Sequence, residues 1–293
     1  MKPYFLQFLF MLCCIFYGRA FNVCAEESTN SGSITLELRR AANMTGGKVY
    51  HISSVGNAAI TAFDLYLRTS KRKIITLGSI QLGKRNFTVK SVWIDSNCTT
   101  IRLGILIPTP DFELVLRDPK GNHYNPDVKK DNTKCYEYDN MKYYEITAPQ
   151  RGVWGLGIFA KNTNAEKVAL TYYAIADTSV SAAAKVKPAV SGKKIILTSV
   201  SNHKGMITGA KVSASISHAV QGRKFITLYD DGKHNDDKAD DGIYGNTVNC
   251  QAAGKYTVIC FVEGKDQFGG PFYRQTLPEY ISIPETQNKL VRQ

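Results

Sequence analysis

The 293-residue sequence lacks the features that would assign it to several common classes of protein. No segment contains the roughly 20 consecutive apolar residues that a membrane-spanning helix needs. Charged residues make up only 21% of the chain and hydrophobic residues 43%, a balance that disordered proteins do not have. The sequence therefore predicts a folded protein with one large domain or two medium ones.

Motifs of common enzymes and of zinc sites are also missing. None of the five histidines is followed by glutamate, so the helical motif of zinc proteases is absent. The sequence has neither a Gly-x-Ser-x-Gly nucleophile elbow nor a Cys-x-x-Cys pair of a zinc ribbon. We therefore predict that the protein is not an enzyme and that its isolated histidines have structural roles.

Acidic residues are scarce relative to basic ones. The chain has 25 Asp and Glu against 37 Lys and Arg, which gives a net charge of +12. A basic protein suits anionic partners, but its charge does not name one. The excess is spread over small clusters at 71–73, 84–85 and 193–194. These clusters are either solvated loop charge or a patch for an anionic glycan or cell surface, and the sequence leaves both open.

The first 25 residues have the organisation of a secretory signal peptide. Lys2 precedes an apolar run over 5–17 that is too short to span a membrane. Small residues place possible cleavage sites after Ala20 and after Ala25, and we prefer the second. We therefore expect a secreted, extracellular protein, for which nucleic acid is not an expected partner.

Cleavage at the preferred site leaves four cysteines. An even number in an oxidising compartment favours disulfides, and four cysteines allow three pairings. Proximity in the sequence pairs Cys98 with Cys135 and Cys250 with Cys260. The disulfide between Cys250 and Cys260 is the harder one to form, because residues 251–254 have the pattern of a hairpin turn. In such a hairpin Cys260 lies on the order of 17 Å along the strand from Cys250.

Three tripeptides fit the acceptor sequence for N-glycosylation, at Asn43, Asn86 and Asn97. Such tripeptides are used only in proteins that pass through a eukaryotic secretory pathway. Together with the signal peptide, they predict these three asparagines as glycosylation sites.

Residues 26–75 combine a polar start with a short helical pattern. Apolar spacing predicts helices over 33–44 and 57–68 and a strand over 48–52. Gly46 and Gly47 end the first helix, because glycine accepts the left-handed conformation of a helix cap. A segment of this size cannot bury a core alone, so we expect it to dock on other parts of the chain.

Beyond residue 71 the pattern changes to short alternating runs separated by turn residues, which is typical of antiparallel sandwiches. We predict one sandwich over 76–178 with Trp154 in its core, a second domain over 179–284, and a polar tail over 285–293. Residues 177–192 are interpreted as a linker followed by the first edge strand of the second domain. The strands are predicted at 87–94, 100–107, 112–117, 141–147, 153–159, 169–176, 195–200, 210–216, 224–229, 255–262 and 272–277.

The sharpest local feature is the segment 228–244, in which six aspartates fall within twelve residues. Ca²⁺ takes six to eight oxygen ligands, and clustered carboxylates on a tight loop could supply them. The spacing is not that of an EF-hand, since no glutamate closes the loop. The alternative is a solvated turn in which aspartates cap backbone amides while Gly232 and Gly242 adopt positive φ. The candidate calcium ligands are Asp230, Asp231, Asp236, Asp240 and Asp241.

Several segments occur in an order that matches a known family. Residues 37–50 are similar to the end of a von Willebrand factor A domain, where a helix, a Thr-Gly-Gly cap and a strand precede the last helix. Residues 92–96, 114–121 and 152–155 look like the β-sandwich that follows that domain. Residues 226–262, with two Asp-Asp-Gly turns, resemble a fibronectin type III-like domain. The family with this order is the calcium-activated chloride channel regulators, with hemicentin-like proteins related.

The resemblance implies a mainly β protein with two β-sandwich-like domains, the second fibronectin type III-like, preceded by a helix–strand–helix resembling the end of a von Willebrand A domain over 26–75. The family's zinc protease-like region is absent, and the pattern Asp-x-Ser-x-Ser occurs only at 177–181, outside the A domain-like segment, so self-cleavage and metal-dependent adhesion are not implied. What remains is a secreted binding or adhesion module whose partner is an extracellular protein or a cell-surface glycan. The alternative is the C-terminal fragment of a larger regulator of this family.

Overall fold

A computed structural model describes residues 15–17, 20–26, 49–52, 63, 67–68, 70, 72–83, 85–127, 131–138, 140–161, 167–189, 193–266 and 268–284. Its named elements are 21 β-strands. The chain falls into two compact units, Met1–Ser70 and Lys71–Gln293. The prediction of a mainly β protein is therefore confirmed. Among the described residues, no helix is long and apolar enough to cross a membrane.

The first unit contains a three-stranded sheet made of β1 (Ile15–Tyr17), β2 (Ala20–Glu26) and β3 (Val49–Ile52). The strand β3 lies where the sequence predicts one, and it runs parallel to β2. The helix predicted over 33–44 lies outside the described residues. Of the helix predicted over 57–68, Phe63, Leu67 and Arg68 are described, and all three are α-helical. The complete helix–strand–helix that would resemble a von Willebrand A domain is thus not seen.

The second unit begins with a sandwich of two facing sheets. Its strands are β4 (Lys73–Leu82), β5 (Phe87–Ile94), β6 (Cys98–Leu106), β7 (Phe112–Arg117), β8 (His123–Tyr124), β9 (Thr133–Tyr138), β10 (Met141–Thr147), β11 (Gly152–Ala160) and β12 (Val168–Thr178). We name each sheet after a central strand. The β6 sheet has the order β4-β12-β6-β10-β9, and the β11 sheet has the order β5-β11-β7-β8.

Alternation along the strands places the core of this sandwich between its two sheets. On β11, Trp154, Leu156 and Ile158 are fully buried, and they belong to the same cluster as Leu103 and Ile105 of β6. The indole Nε1–H of Trp154 donates to the carbonyl oxygen of residue 150 at 2.9 Å, so burial leaves that donor satisfied. The prediction that Trp154 lies in the core is confirmed.

A second sandwich follows. Its strands are β13 (Ser181–Pro188), β14 (Lys193–Asn202), β15 (Gly205–Met206), β16 (Lys211–His218), β17 (Gly222–Leu228), β18 (Ile243–Asn249), β19 (Gly254–Lys265), β20 (Pro271–Gln275) and β21 (Glu279–Ile283). The β14 sheet joins β13, β14, β15 and β18, and the β16 sheet joins β17, β16, β19, β20 and β21. A separate buried cluster, which includes Ile196, Val212, Val258 and Phe272, fills the space between them.

The segment between β18 and β19 is not the hairpin that the sequence suggests. The strand β18 pairs with β14, whereas β19 pairs with β16, so residues 251–253 carry the chain from one sheet to the other. The turn residues themselves are as expected, with Gly254 at a φ of 119°. A hairpin and a sheet-to-sheet crossing need the same local residues, and only long-range pairing distinguishes them.

The segment between the two sandwiches is short and firmly held. The strand β12 ends at Thr178 and β13 begins at Ser181, so only two residues separate them. The guanidinium of Arg274, on β20, reaches across to this segment: Nη2 donates to Thr178 Oγ1 at 2.9 Å and Nε donates to Val180 O at 3.0 Å. Its Nη1 donates to Asp95 Oδ2 at 2.7 Å, and both side chains of this ion pair are fully buried. The segment predicted as a linker is thus tied to both domains.

Further hydrogen bonds join the two sandwiches around this ion pair. They run from Trp93 Nε1 to Pro271 O at 3.0 Å, from Leu77 N to Gln275 Oε1 at 2.9 Å, and from Ser96 Oγ to Asp266 Oδ2. The contacts come from three separate strands or turns of the first sandwich. Because they surround the ion pair, they fix the orientation of one sandwich against the other.

Candidate functional site

The outward side of the β11 sheet carries an exposed group of apolar side chains, which we call the apolar face. Phe87 is 66% exposed, Val89 57%, Val153 49% and Phe159 39%. The rings of Phe87 and Phe159 stack at a centroid distance of 5.7 Å, because these residues are direct cross-strand partners of β5 and β11. A contiguous apolar surface of this kind is typical of a contact site for another molecule.

A groove of 400 Å³ crosses the apolar face above Gly155 and Gly157, and we call it the glycine groove. Both glycines lie in the central strand β11, where Gly155 pairs with Arg117 on one side and Gly157 pairs with Val89 on the other. A Cβ built on Gly155 would be 3.5 Å from the nearest side chain, an ordinary contact. Gly155 is therefore not required by sterics, whereas a Cβ built on Gly157 would come within 3.3 Å of the Phe159 ring, a tight contact. The effect of the two glycines is to leave the middle of the sheet open for another group.

The glycine groove has a basic and an acidic residue at its edge, and only the basic one is available to a ligand. Arg117 is exposed and forms no ion pair within the described part of the chain. The adjacent Asp118 is buried and accepts hydrogen bonds from Lys120 N, from Asn122 N and from the Tyr124 hydroxyl. Burial acts to raise the pKa of Asp118, but these hydrogen bonds outweigh it and hold that pKa below its usual value. Asp118 is thus committed to its own turn and leaves Arg117 available.

The predicted calcium ligands lie in one loop, residues 230–242, which we call the aspartate loop. Asp236 is buried at its centre and accepts three backbone N–H bonds: from Asp231 at 2.6 Å, from Gly232 at 2.8 Å and from His234 at 3.1 Å. Burial acts to raise the pKa of Asp236, but the hydrogen bonds from backbone amides outweigh it, and the pKa lies below its usual value. Asp236 therefore organises the loop as an ionised acceptor.

The other aspartates of the loop also bind backbone. Asp230 accepts N–H bonds from Asp241 and Gly242, both at 3.0 Å, and Asp241 accepts one from Ile243 at 2.9 Å. Gly232 and Gly242 have the positive φ values that the turn interpretation requires. This is the capping chemistry that the sequence offers as the alternative to metal binding.

The structure does not gather the five candidate ligands into a metal-binding arrangement. Asp231 pairs with His234, whose Nδ1 lies 2.9 Å from Asp231 Oδ2, while Asp240 is exposed at the rim. Among the described residues there is no group of three or more Asp, Glu, His or Cys side chains placed to hold one ion. Calcium binding by these residues stays a prediction, and its candidate ligands are Asp230, Asp231, Asp236, Asp240 and Asp241. A comparison of the melting temperature in millimolar Ca²⁺ with that in a chelator tests it.

The predicted disulfides are not formed. Cys98, Cys135, Cys250 and Cys260 are all free thiols. Cys135 pairs with Tyr144 on β10, and Tyr144 pairs with Leu103 on β6. Cys135 is therefore two strands and five residues away from Cys98, roughly 10 Å across the sheet and 17 Å along it. A disulfide needs Cα atoms within about 7 Å.

The pair Cys250 and Cys260 is separated for a different reason. Cys250 directly follows β18 in the β14 sheet, and Cys260 lies on β19 in the facing sheet. Cys260 contacts Thr198, which pairs with Tyr244, six residues before Cys250 on the same strand. Six residues correspond to about 20 Å along a strand. The two thiols thus lie near opposite ends of the same core.

The free thiols are poorly suited to nucleophilic chemistry. Burial raises the pKa of Cys98 to about 11 and that of Cys260 to about 11. Burial also raises the pKa of Cys135 and of Cys250. A cysteine nucleophile needs the thiolate, which a raised pKa disfavours.

The three glycosylation candidates differ in accessibility. Asn86 is exposed in the turn before β5, directly beside Phe87. Asn97 is half-buried, and its Nδ2, the atom that a glycan would modify, donates to Asp95 Oδ1 at 3.0 Å. Asn43 lies outside the described residues. Modification therefore stays a prediction at all three positions, and the geometry favours Asn86 over Asn97.

A second groove, of 630 Å³, borders the aspartate loop, and we call it the aromatic groove. Tyr229, Phe261 and Tyr273 form its exposed aromatic wall, and Lys211 and Glu263 are cross-strand partners on its floor. The rings of Tyr229 and His234 lie 4.3 Å apart, which joins this wall to the loop. Aromatic faces together with charged groups suit a polar ligand with flat apolar surfaces, such as a sugar ring.

The local sequence pattern does not by itself predict the apolar face, the glycine groove or the buried ion pair. A signal for the face was present, because β5 and β11 have apolar residues on both of their sides and not on alternate positions alone. A strand of that kind in an antiparallel sheet has one apolar side left over once the core is filled. The ion pair of Asp95 and Arg274 leaves no local signal, since the two residues are far apart in the chain.

Comparison with known proteins agrees with this architecture. A family model described as the second Ig-like domain of conditioned medium factor matches residues 164–280. The second sandwich is similar to an Ig-like domain. No curated protein sequence matches the chain. The match covers the second sandwich and the strand before it, and the resemblance to calcium-activated chloride channel regulators is not confirmed.

Solved structures give distant likenesses. A Bacillus licheniformis lipase, BlEst2, in propeptide form has a TM-score of 0.41 and 14% identity, over 78% of this chain and 47% of that one. A membrane-anchored protein of Corynebacterium diphtheriae has a TM-score of 0.25 and 11% identity, over 75% and 53%. The adhesin domain of Epf from Streptococcus pyogenes has 0.19 and 8%, over 71% of each chain. The chain spans about half the length of the first two.

Proposed function

We propose that this protein is an extracellular, non-enzymatic binding or adhesion module that contacts its partner through the apolar face. The observation that carries the proposal is the exposure of Phe87, Val89, Val153 and Phe159 on one side of one sheet. The inner side of the same sheet is already packed in the core, so the outer side has no partner within its own sandwich. Covering it with another protein would remove apolar surface from water.

The size of this effect is useful for binding. Burying a phenylalanine side chain that is otherwise exposed contributes about 1.5–3 kcal/mol. Such an aromatic anchor at the centre of a contact surface can dominate an interface. Phe87 and Phe159 are stacked, so Phe87 is held in place before a partner arrives and loses little side-chain freedom on binding.

The non-enzymatic part of the proposal is supported by the state of the reactive groups. Burial raises the pKa values of the free thiols of Cys98, Cys135, Cys250 and Cys260. The aspartates of the aspartate loop bind backbone amides of their own loop. The extracellular location is supported by the signal peptide predicted over 1–25 and by the likeness to an Ig-like domain of conditioned medium factor.

Replacing Phe87 with serine tests this function. We expect saturable binding of the labelled full chain to intact cells of its source to weaken about tenfold or more, because the substitution removes the anchor from the contact. The melting temperature should change little, since the side chain is exposed. The matched control is Phe225→Ser on β17, where the residue is 63% exposed on a different sheet. Equal weakening by both variants, or by neither, contradicts the proposal.

The aromatic groove supports a second candidate function, which is glycan binding. Three exposed aromatic side chains flank a floor with charged residues, and sugar rings stack on aromatic faces while their hydroxyls bind charged groups. We expect Tyr273→Ala to remove any signal that the full chain gives on a glycan array, with Phe225→Ser unchanged as the control. Silence of the unmodified chain on the array would argue against this candidate and leave the apolar face as the contact site.

A further inference from the structure

We propose that the glycine groove takes a segment of the partner in which a carboxylate lies next to an apolar side chain, with the carboxylate bound by Arg117. This inference rests on the proposed function, because it assigns a chemistry to the partner at the apolar face. Three features support this assignment: the room in the groove, the charge at its edge and the spacing between the two.

The groove has room for a side chain because its floor has none. Gly155 and Gly157 are successive outward-facing positions of β11, and they are flanked by Val89, Val153 and Phe159. These side chains form apolar walls around a backbone floor that is open at Gly155, while at Gly157 the Phe159 ring lies 3.3 Å from the position that a Cβ would take. An aliphatic or aromatic group of the partner would contact the walls on its sides and the peptide planes beneath it.

The charge at the edge of this groove favours an anion. Arg117 is the cross-strand partner of Gly155, so its side chain emerges beside the floor. Asp118 is buried, and its oxygens are occupied by its own turn. Glu113, at the far end of β7, is paired with Lys161. Glu113 is thus ion-paired and the ionised Asp118 is hydrogen-bonded within its own turn, whereas the guanidinium of Arg117 is exposed and without an ion-pair partner among the described residues.

Arginine suits a carboxylate in particular. Its planar guanidinium presents two parallel N–H groups that match the two oxygens of a carboxylate. The residue opposite Arg117 on β8 is His123, which is exposed and adds no negative charge. A cationic partner group would be repelled at this position, and a purely apolar one would leave the guanidinium unused.

The spacing fits one compact ligand feature. Arg117 lies level with Gly155, and Gly157 lies two residues farther along the strand, about 7 Å away. A carboxylate and an apolar group joined by two or three bonds span this distance. An acidic residue next to an apolar residue in an extended peptide has this geometry, as does a phenylalkanoate.

Three probes that differ only in their head group test the inference: 3-phenylpropionate, 3-phenylpropan-1-ol and 3-phenylpropylamine. Each is titrated into the isotope-labelled full chain while the amide resonances of Gly155 and Gly157 and the Arg117 Nε–H are followed by NMR. We expect saturable shifts at all three positions with the propionate, about fivefold weaker binding of the alcohol, and no binding of the amine. Equal affinity for propionate and alcohol, or no shifts at the glycines, overturns the inference.

Variants separate the two parts of the site. Arg117→Gln should bring the affinity for the propionate down to that for the alcohol, while Lys120→Gln, the same charge change beside the groove, should leave it unchanged. Gly155→Val should abolish binding of the propionate and of the alcohol, and Gly155→Ala serves if the larger side chain disturbs the sheet, since a Cβ there makes ordinary contacts. If these expectations fail while Phe87→Ser still weakens binding to cells, the carboxylate assignment is overturned. The proposed function is then unaffected.

Discussion

Replacing Arg274 with methionine should lower the free energy of unfolding by about 3–5 kcal/mol, the largest effect that we expect of any single substitution. The substitution leaves the fully buried carboxylate of Asp95 without its partner. It also removes the hydrogen bonds to Thr178 Oγ1 and Val180 O, which hold the segment between the sandwiches. Urea unfolding of the full chain, followed by tryptophan fluorescence, measures the change.

Three further variants make this measurement decisive: Lys161→Met, Asp95→Asn, and the double variant of Asp95→Asn with Arg274→Met. Lys161→Met breaks the exposed ion pair with Glu113 and should cost less than about 1 kcal/mol, because surface pairs contribute little. The double substitution of Asp95→Asn with Arg274→Met should cost less than the sum of the two single changes, because no buried charge then remains unpaired. If Arg274→Met is no worse than Lys161→Met, the buried pair does not hold the junction.

The acid response of this variant follows from the same pair. Burial acts to raise the pKa of Asp95, but the hydrogen bond and charge of Arg274 outweigh it, so the pKa lies below its usual value. In the Arg274→Met variant the hydrogen bond and charge of Arg274 are lost and only the two hydrogen bonds from Asn97 still oppose burial, so the pKa of Asp95 should rise. The destabilisation should then shrink as the pH falls and Asp95 becomes protonated.

Replacing Asp236 with alanine should lower the free energy of unfolding by about 2–4 kcal/mol. Three backbone N–H groups of the aspartate loop lose one buried, charged acceptor, and hydrogen bonds to charged groups contribute about 1.5–3 kcal/mol each before the loop relaxes. Asp236→Asn should cost less, because it keeps the shape and one acceptor oxygen. The exposed Asp131→Ala is the control and should be near neutral. Thermal unfolding with circular dichroism compares the three variants.

The pH dependence of this effect has a defined sign. The pKa of Asp236 is lower in the folded protein than the value of about 3.9 in an unfolded chain. Its contribution is therefore fully present above that unfolded value and is lost as the pH falls through the folded pKa. The difference between the unmodified protein and Asp236→Ala should accordingly be constant near neutral pH and shrink below about pH 4. A constant difference down to strongly acidic pH would contradict the assigned role.

Much of the strand pattern could be predicted because alternation is a local property. The segments 87–94, 112–117 and 141–147 coincide with β5, β7 and β10. The sequence pattern does not predict β1, β2, β4, β8, β9, β15, β18 or β21. The strand β18 shows why, because it directly follows the aspartate loop, whose polar residues obscure where regular structure resumes. Pairing between distant strands, as in the crossing at 251–253, depends on contacts that a local pattern does not contain.

The same distinction between local pattern and long-range folding applies to the candidate sites. The aspartate cluster is conspicuous in the sequence, but whether its carboxylates turn toward a cation or toward amides of their own loop depends on how residues 230–242 fold. Cys98 and Cys135 are near in sequence, yet β10 separates them by one strand. The resemblance to channel regulators rested on turn-rich segments such as 226–262, which many sandwich domains share. The likeness to an Ig-like domain fits the same residues.

The buried guanidinium of Arg274 has a consequence for how the molecule meets a large target. With both sandwiches held in one orientation, the apolar face and the aromatic groove are two contact surfaces at a fixed separation. A target that contacts both surfaces loses its translational and rotational entropy only once. Its affinity therefore exceeds the affinity for either surface alone. A target with the wrong spacing gains nothing from its second contact. Partner selection would then depend on a side chain that no partner ever touches.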